Sequence, residues 1–241
     1  MMVIPLTAPA AVDARLTGSK ASRLARLTAQ GFRVPEGIVV TSRTFEAVAA
    51  TVDAGVTPEE IARLPLPPEA EARLRSAFES GGVFHGVRVA VRSSALAEDT
   101  EEASFAGMYE TFLDVCGAED VVAAVQRCFA SAFAARVMTY AGGRGSLATH
   151  SAGMAVLVQR MVAPTAAGVA FTAHPVTGER GVVTISAVPG LGELLVSGQA
   201  DAEEWEVRGG EATRRRSVTP TLDVPVARDE AELARAGERE A

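Results

Sequence analysis

Cysteine is nearly missing from this chain: Cys116 and Cys128 are the two present in 241 residues. Two thiols exclude a disulfide-stapled scaffold and fit a reducing compartment, so a cytoplasmic location is expected. Both are expected buried or half-buried, and no His/Cys spacing around them supplies a metal set. Long apolar runs are missing too, since no stretch approaches the ~20 residues of a membrane helix. The opening MMVIPLTAPAAVDARL lacks a basic start and a continuous apolar core, so it does not read as a signal peptide. Positive charge is in deficit, with 23 Lys and Arg against 30 Asp and Glu for a net charge of −7. That balance argues against nucleic acid or an anionic membrane as main partner, and any phosphate site must be a local positive pocket. What remains is a folded globular chain, 48% hydrophobic with a mean hydropathy of +0.17. Its length suits one or two domains at roughly 150 residues each.

The stretch RVAVRSSALAEDTEEASFAGMYETFL, residues 88–113, organises the rest. Val87, Val89 and Val91 alternate with Arg88, Ala90 and Arg92, the period of a half-buried strand. Arg92 falls on the face away from the valines, at the strand's end, with Ser93 and Ser94 following on a turn. A guanidinium fork beside small hydroxyl donors suits phosphate oxygens, and it equally suits an ordinary solvated turn. An acidic run over 98–102 follows. Then Ser104-Phe105-Ala106-Gly107 offers small residues where backbone can approach a ligand. Residues 109–113 resume as strand.

Upstream, residues 3–6 read as a short strand, 13–19 as a loop and 20–30 as a helix. Ser19 is that helix's candidate N-cap and Gly31 its stop. Lys20 sits in its first turn. A cation there opposes the helix dipole, which points to a ligand role, with a solvated lysine as the plain alternative. Residues 38–40 read as a buried strand, and Ser42 as the cap of a helix to Ala50. Thr57-Pro58-Glu59-Glu60 reads as a capping box and 69–79 as a helix. The longest helix spans 120–140, with Val121, Val122, Val125, Phe129, Phe133 and Val137 at helical period. Residues 142–145 are a Gly-rich linker, not a P-loop. Strands are expected over 154–159, 168–172 and 181–188. A hairpin forms across Gly209-Gly210, with Arg214, Arg215 and Arg216 on a solvated face or protected edge. A charged helix closes the chain over 229–241. The boundary between lobes is set near Gln159.

VRSSALAEDTEEASFAGMYETFL resembles the nucleotide-binding signature of the phosphoenolpyruvate synthase and pyruvate phosphate dikinase family, which rifampicin phosphotransferases share. Gly18-Ser19-Lys20-Ala21-Ser22 with GFRVPEGIVVT resembles the family's start. MAVLVQRMV, GVAFTAHPVTG and PGLGELLVSG resemble its later part. The resemblance covers residues 12–235. It implies an α+β, ATP-grasp-like nucleotide-binding domain of two lobes, 1–158 and 159–241, that clamps ATP. It implies phosphate contacts from Lys20 and Arg92, a closing loop at Gly107, and a phosphate or ribose contact from Thr111. Adenine would lie along Gln159, Arg160, Met161 and Val162, with Met161 packed on the ring. ATP and Mg²⁺ are the implied cofactors.

The implied role is the ATP-binding component of a phosphotransferase that passes phosphate to a histidine on a separate domain or chain. A non-catalytic ATP-binding or scaffold protein is the alternative, as is a truncated piece of a dikinase-type enzyme. The family's paired glycines before the lysine are Gly18-Ser19 here. Its Asn-Pro is His174-Pro175, where His174 reads as a turn residue and not as the phosphorylated histidine. The family's metal-binding acid and Gln-x-Arg contact follow a helix like that of 229–239, inside which this chain stops. Glu193 is left as a substitute metal ligand.

Overall fold

The computed structural model describes residues 1–52, 56–96, 110–141 and 153–217, apart from the side chains of 134–141. The chain divides into two compact units, Met1–Met161 and Val162–Ala241. Gly107, the 98–102 run, the 142–145 linker and the closing helix of 229–241 lie outside the described residues.

In the first unit the elements run β1 (Val3–Pro5), a 3-10 turn (Pro9–Val12), α1 (Ala14–Ala29), β2 (Gly37–Val40), α2 (Ser42–Ala49), α3 (Pro58–Ile61) and α4 (Pro68–Phe78). They continue with β3 (Arg88–Ala95), β4 (Thr111–Cys116), α5 (Ala118–Ala141) and β5 (Met154–Arg160). The sheet order is β1-β2-β5-β3-β4, every neighbour antiparallel. Because side chains alternate across a strand, each face of this sheet builds its own core. Val89, Val91, Val156 and Val158 pack with Phe45, Val121, Val125 and Phe129 on one face. Ala155 and Leu157 pack with Ala21, Ala25, Ile4 and Leu6 on the other. α1 therefore lies on the face toward which Arg92 is directed.

Two expected boundaries need correction. Ser93 and Ser94 are not on a turn: β3 continues to Ala95, pairing Ser93 with Val156 and Ser94 with Ala155. Both serines are buried, and each hydroxyl is spoken for within the fold, Ser93 Oγ donating to the Glu110 carbonyl at 3.1 Å. α1 begins earlier than expected, because Asp13 accepts from the Arg15 amide and caps a first turn before Gly18. At Gly18 the backbone leaves helical geometry (φ 76°, ψ 171°), and the helix restarts toward Ala29. The expected stop is present: the Gly31 amide donates to the Thr28 carbonyl and the Phe32 amide to Leu27, with Gly31 at φ 88°. Those two bonds form a Schellman cap.

The Thr57–Glu60 capping box is present in full. Ser42, by contrast, does not cap α2. Its hydroxyl donates to the Arg15 carbonyl at 2.9 Å, tying α2 to the start of α1.

The second unit is a four-stranded antiparallel meander, β6 (Ala166–Ala173), β7 (Arg180–Pro189), β8 (Glu203–Arg208) and β9 (Glu211–Arg216), with the short α6 (Glu193–Val196) between β7 and β8. The hairpin across Gly209 and Gly210 is as expected. Arg214, Arg215 and Arg216 stand exposed on the edge strand and face Glu203, Glu206, Asp201 and Glu204. His174 takes the expected turn role, its Nδ1 accepting from the amides of Val176 and Thr177 at 3.2 Å each.

The two thiols separate sharply. Cys116 is exposed, contrary to the expectation of burial, while Cys128 is buried in α5. Burial pushes the Cys128 thiol up from 9.0 to about 12, against a smaller opposing pull from Ser93. In the folded protein, a thiol reagent at mildly alkaline pH should titrate one group, and in denaturant two. The unfolded thiol ionises first, so this group removes stability as pH rises from 9.0 toward about 12. A folded protein that releases two equivalents at once would overturn this placement.

Candidate functional site

The site is built where the restart of α1 meets β3. The Lys20 ammonium donates to the Ser93 carbonyl at 3.3 Å. One residue along the chain, Ala21 N donates to Ser94 Oγ at 3.1 Å. Close approach is possible because residue 18 is glycine. A Cβ there would lie 2.0 Å from the Ser94 carbonyl oxygen. These contacts join residues 73 apart in sequence and bring Lys20 to the strand that carries Arg92.

Arg92 pairs with Thr111 on β4 and with Leu157 on β5. Residues directly opposite on antiparallel strands present side chains to the same face. Leu157 belongs to the core under α1, so Arg92 and Thr111 share the α1 face. Arg92 is half-buried and Thr111 exposed. Among the described residues, the Arg92 guanidinium makes no ion pair or hydrogen bond. A half-buried cation beside an ammonium, with an exposed hydroxyl opposite, is a donor set for a polyanion.

Gln159 and Met161 lie further along the same sheet. Gln159 pairs with Ala90 and Gly37, two positions from Leu157. By strand rise that is ~7 Å along β5 from the partner of Arg92. Its side chain is buried, with Nε2 donating to the Pro35 carbonyl at 3.1 Å. The Arg160 amide donates to the Glu36 carbonyl, and the Met161 amide to that of Arg88. The backbone donors Arg160 N and Met161 N are thus spent inside the fold, and Gln159 Nε2 uses one of its two N–H groups there. Lys20, Arg92 and Thr111 are brought together, while Gln159 and Met161 stand apart from them.

Sequence reasoning missed the part played by Gly18 and Ser94. The signal was a lone glycine inside a helical pattern, which often marks a break or a close backbone approach. It also missed Glu36, whose Oε2 accepts from Arg160 Nε and Nη2 at 3.0 and 2.7 Å. That ion pair fixes the end of β5 against the turn before β2.

Residues 14–237 match a family model described as pyruvate phosphate dikinase, AMP/ATP-binding domain. The chain belongs to this family. It is similar to a rifampicin phosphotransferase from Streptomyces sp, 39% identical over 224 residues, covering 82% of this chain and 25% of that protein. It is similar also to a phosphoenolpyruvate synthase from Aeropyrum pernix, 39% identical over 221 residues, covering 80% of this chain and 27% of that protein. The phosphoenolpyruvate synthase from Pyrococcus furiosus is 42% identical over 173 residues, covering 70% of this chain and 21% of its own. The chain thus spans about a quarter of the length of these relatives. By family it is an AMP/ATP-binding domain with an α+β architecture of helices and antiparallel sheets.

A cation bound with ATP would need one or two protein carboxylates beside the phosphates. Among the described residues, no group of three or more His, Cys, Asp or Glu stands together as a metal set. Glu193 opens α6 in the second unit. No helix among them is long and apolar enough to cross a membrane.

Proposed function

We infer that the chain is the ATP-binding component of a phosphoenolpyruvate synthase-like phosphotransferase, with an ATP-grasp organisation of two α+β lobes. Lys20 and Arg92 hold the polyphosphate, and Thr111 contacts the phosphate or ribose region. Adenine lies toward the end of β5, with Met161 against the ring. Since the backbone amides of Arg160 and Met161 are engaged within the fold, the adenine edge is read through carbonyls there or by Val162. A histidine nitrogen on a separate domain or chain attacks the β-phosphorus of ATP: the bond from that phosphorus to the AMP oxygen breaks and AMP leaves, and water then cleaves off the terminal phosphate as Pi, leaving a phosphohistidine.

The observation that supports this most is the Lys20 ammonium at the Ser93 carbonyl, one residue from a half-buried Arg92 with no partner among the described residues. In phosphoryl transfer, such groups act mainly by positioning the phosphates and stabilising the charge that develops on them.

The test is calorimetry with Mg-ATP, followed by AMP detection after adding a histidine-bearing partner domain. Saturable ATP binding with partner-dependent AMP is the expected result. Binding without AMP for any partner favours a non-catalytic ATP-binding protein. Absence of binding ends the reading.

A further inference from the structure

We propose that Ser94 is a positioning residue for the Lys20 ammonium, a role that rests on the nucleotide reading above. After the break at Gly18, the restarted helix has first-turn amides with no partner inside the helix. One of them, Ala21 N, is satisfied from outside, by a hydroxyl on β3 at 3.1 Å. Ser94 is fully buried there, so no water replaces that acceptor. The neighbouring carbonyl, that of Ser93, receives the Lys20 ammonium at 3.3 Å. One dipeptide of β3 therefore holds both the helix start and the tip of the lysine it carries.

Arg92 is held differently. Its backbone is fixed by pairing with Thr111 and Leu157, neither of which belongs to α1. Loss of the Ser94 hydroxyl leaves a buried amide without an acceptor and frees the helix start to shift. The shift carries Lys20 away from the strand and leaves Arg92 in place. Ser94 is thereby coupled to one phosphate-binding cation and not to the other. A residue that merely stabilised the fold would not discriminate between them.

Two double-mutant cycles on Mg-ATP affinity test this, with melting temperature measured alongside. Ser94→Ala should weaken Kd about tenfold in the parent protein and less than about twofold in a Lys20→Met background. In an Arg92→Ala background, Ser94→Ala should again cost about tenfold, because those two sites are independent. Its melting-temperature loss should be the same in all three backgrounds. Ser94→Cys keeps the volume with a weaker acceptor and should fall between parent and Ser94→Ala. It also carries the cycles if Ser94→Ala does not fold. Equal affinity losses in the Lys20→Met and Arg92→Ala backgrounds would overturn the coupling and leave the ATP reading intact. So would an unchanged Kd in Ser94→Ala. A parent protein that does not bind Mg-ATP, or a Lys20→Met variant that binds as tightly as the parent, would overturn the ATP reading, and this inference with it.

Discussion

Gly18→Ala is expected to be the most damaging single-methyl change in the first unit. The new Cβ would sit 2.0 Å from the Ser94 carbonyl oxygen and 2.5 Å from its carbon. Neither atom can yield without moving β3. The backbone at φ 76°, ψ 171° lies where only glycine is at ease. Strain of that kind costs about 1–3 kcal/mol, and forcing an atom into a packed contact costs about as much again. Together these approach a large share of the roughly 5–15 kcal/mol that holds a domain folded. A fall in melting temperature on the order of 10 °C is the expected reading by calorimetry. Gly31→Ala is the matched control. It also has positive φ, 88°, but an added Cβ there meets nothing within 4 Å. Its cost should be about 1 kcal/mol, from backbone alone. Equal melting shifts in the two variants would show that the approach of α1 to β3 is not as tight as described.

Arg92→Ala should do the opposite, sparing the fold and emptying the site. The side chain is half-buried and makes no bond to any described residue, so its removal should change stability by no more than about 0.5 kcal/mol. If it holds a phosphate, the loss of a charge-assisted bond is worth ~1.5–3 kcal/mol, or about 10- to 100-fold in Kd. Arg92→Lys should recover only part, since an ammonium does not reproduce the planar fork. Titration with Mg-ATP and a melting curve on the same sample separate the two effects. An Arg92→Ala variant that binds Mg-ATP as well as the parent would remove Arg92 from the site.

Much of the secondary structure was legible because its signals are local. Alternation placed Val89 and Val91 on one face and Arg92 on the other. The capping box at Thr57 and the glycine stop at Gly31 announced their helix ends. The errors came where distant residues decide. Ser93 and Ser94 look like turn residues, yet β5 supplies backbone partners 63 and 61 residues later, and pairing overrides propensity. Ser42 looked like a cap, but the Arg15 carbonyl claimed its hydroxyl. The site divides in the same way. Lys20 was readable as a cation in an unusual position, and Arg92 through the resemblance of its stretch to a nucleotide-binding signature. That the Gln159 side-chain amide donates to the Pro35 carbonyl depends on contact across the fold, and no spacing in the sequence encodes it.

The place of β5 in its sheet has a consequence for biosynthesis. It is the central strand, seated between β2 and β3, yet it is the last of the five in sequence, at Met154–Arg160. Until a ribosome has released that segment, β2 and β3 each present a bare edge, and such edges invite pairing with other chains. A fold dominated by such distant pairings carries a high contact order and gathers slowly. Nascent chains that end before residue 154 should therefore lean on holdase chaperones.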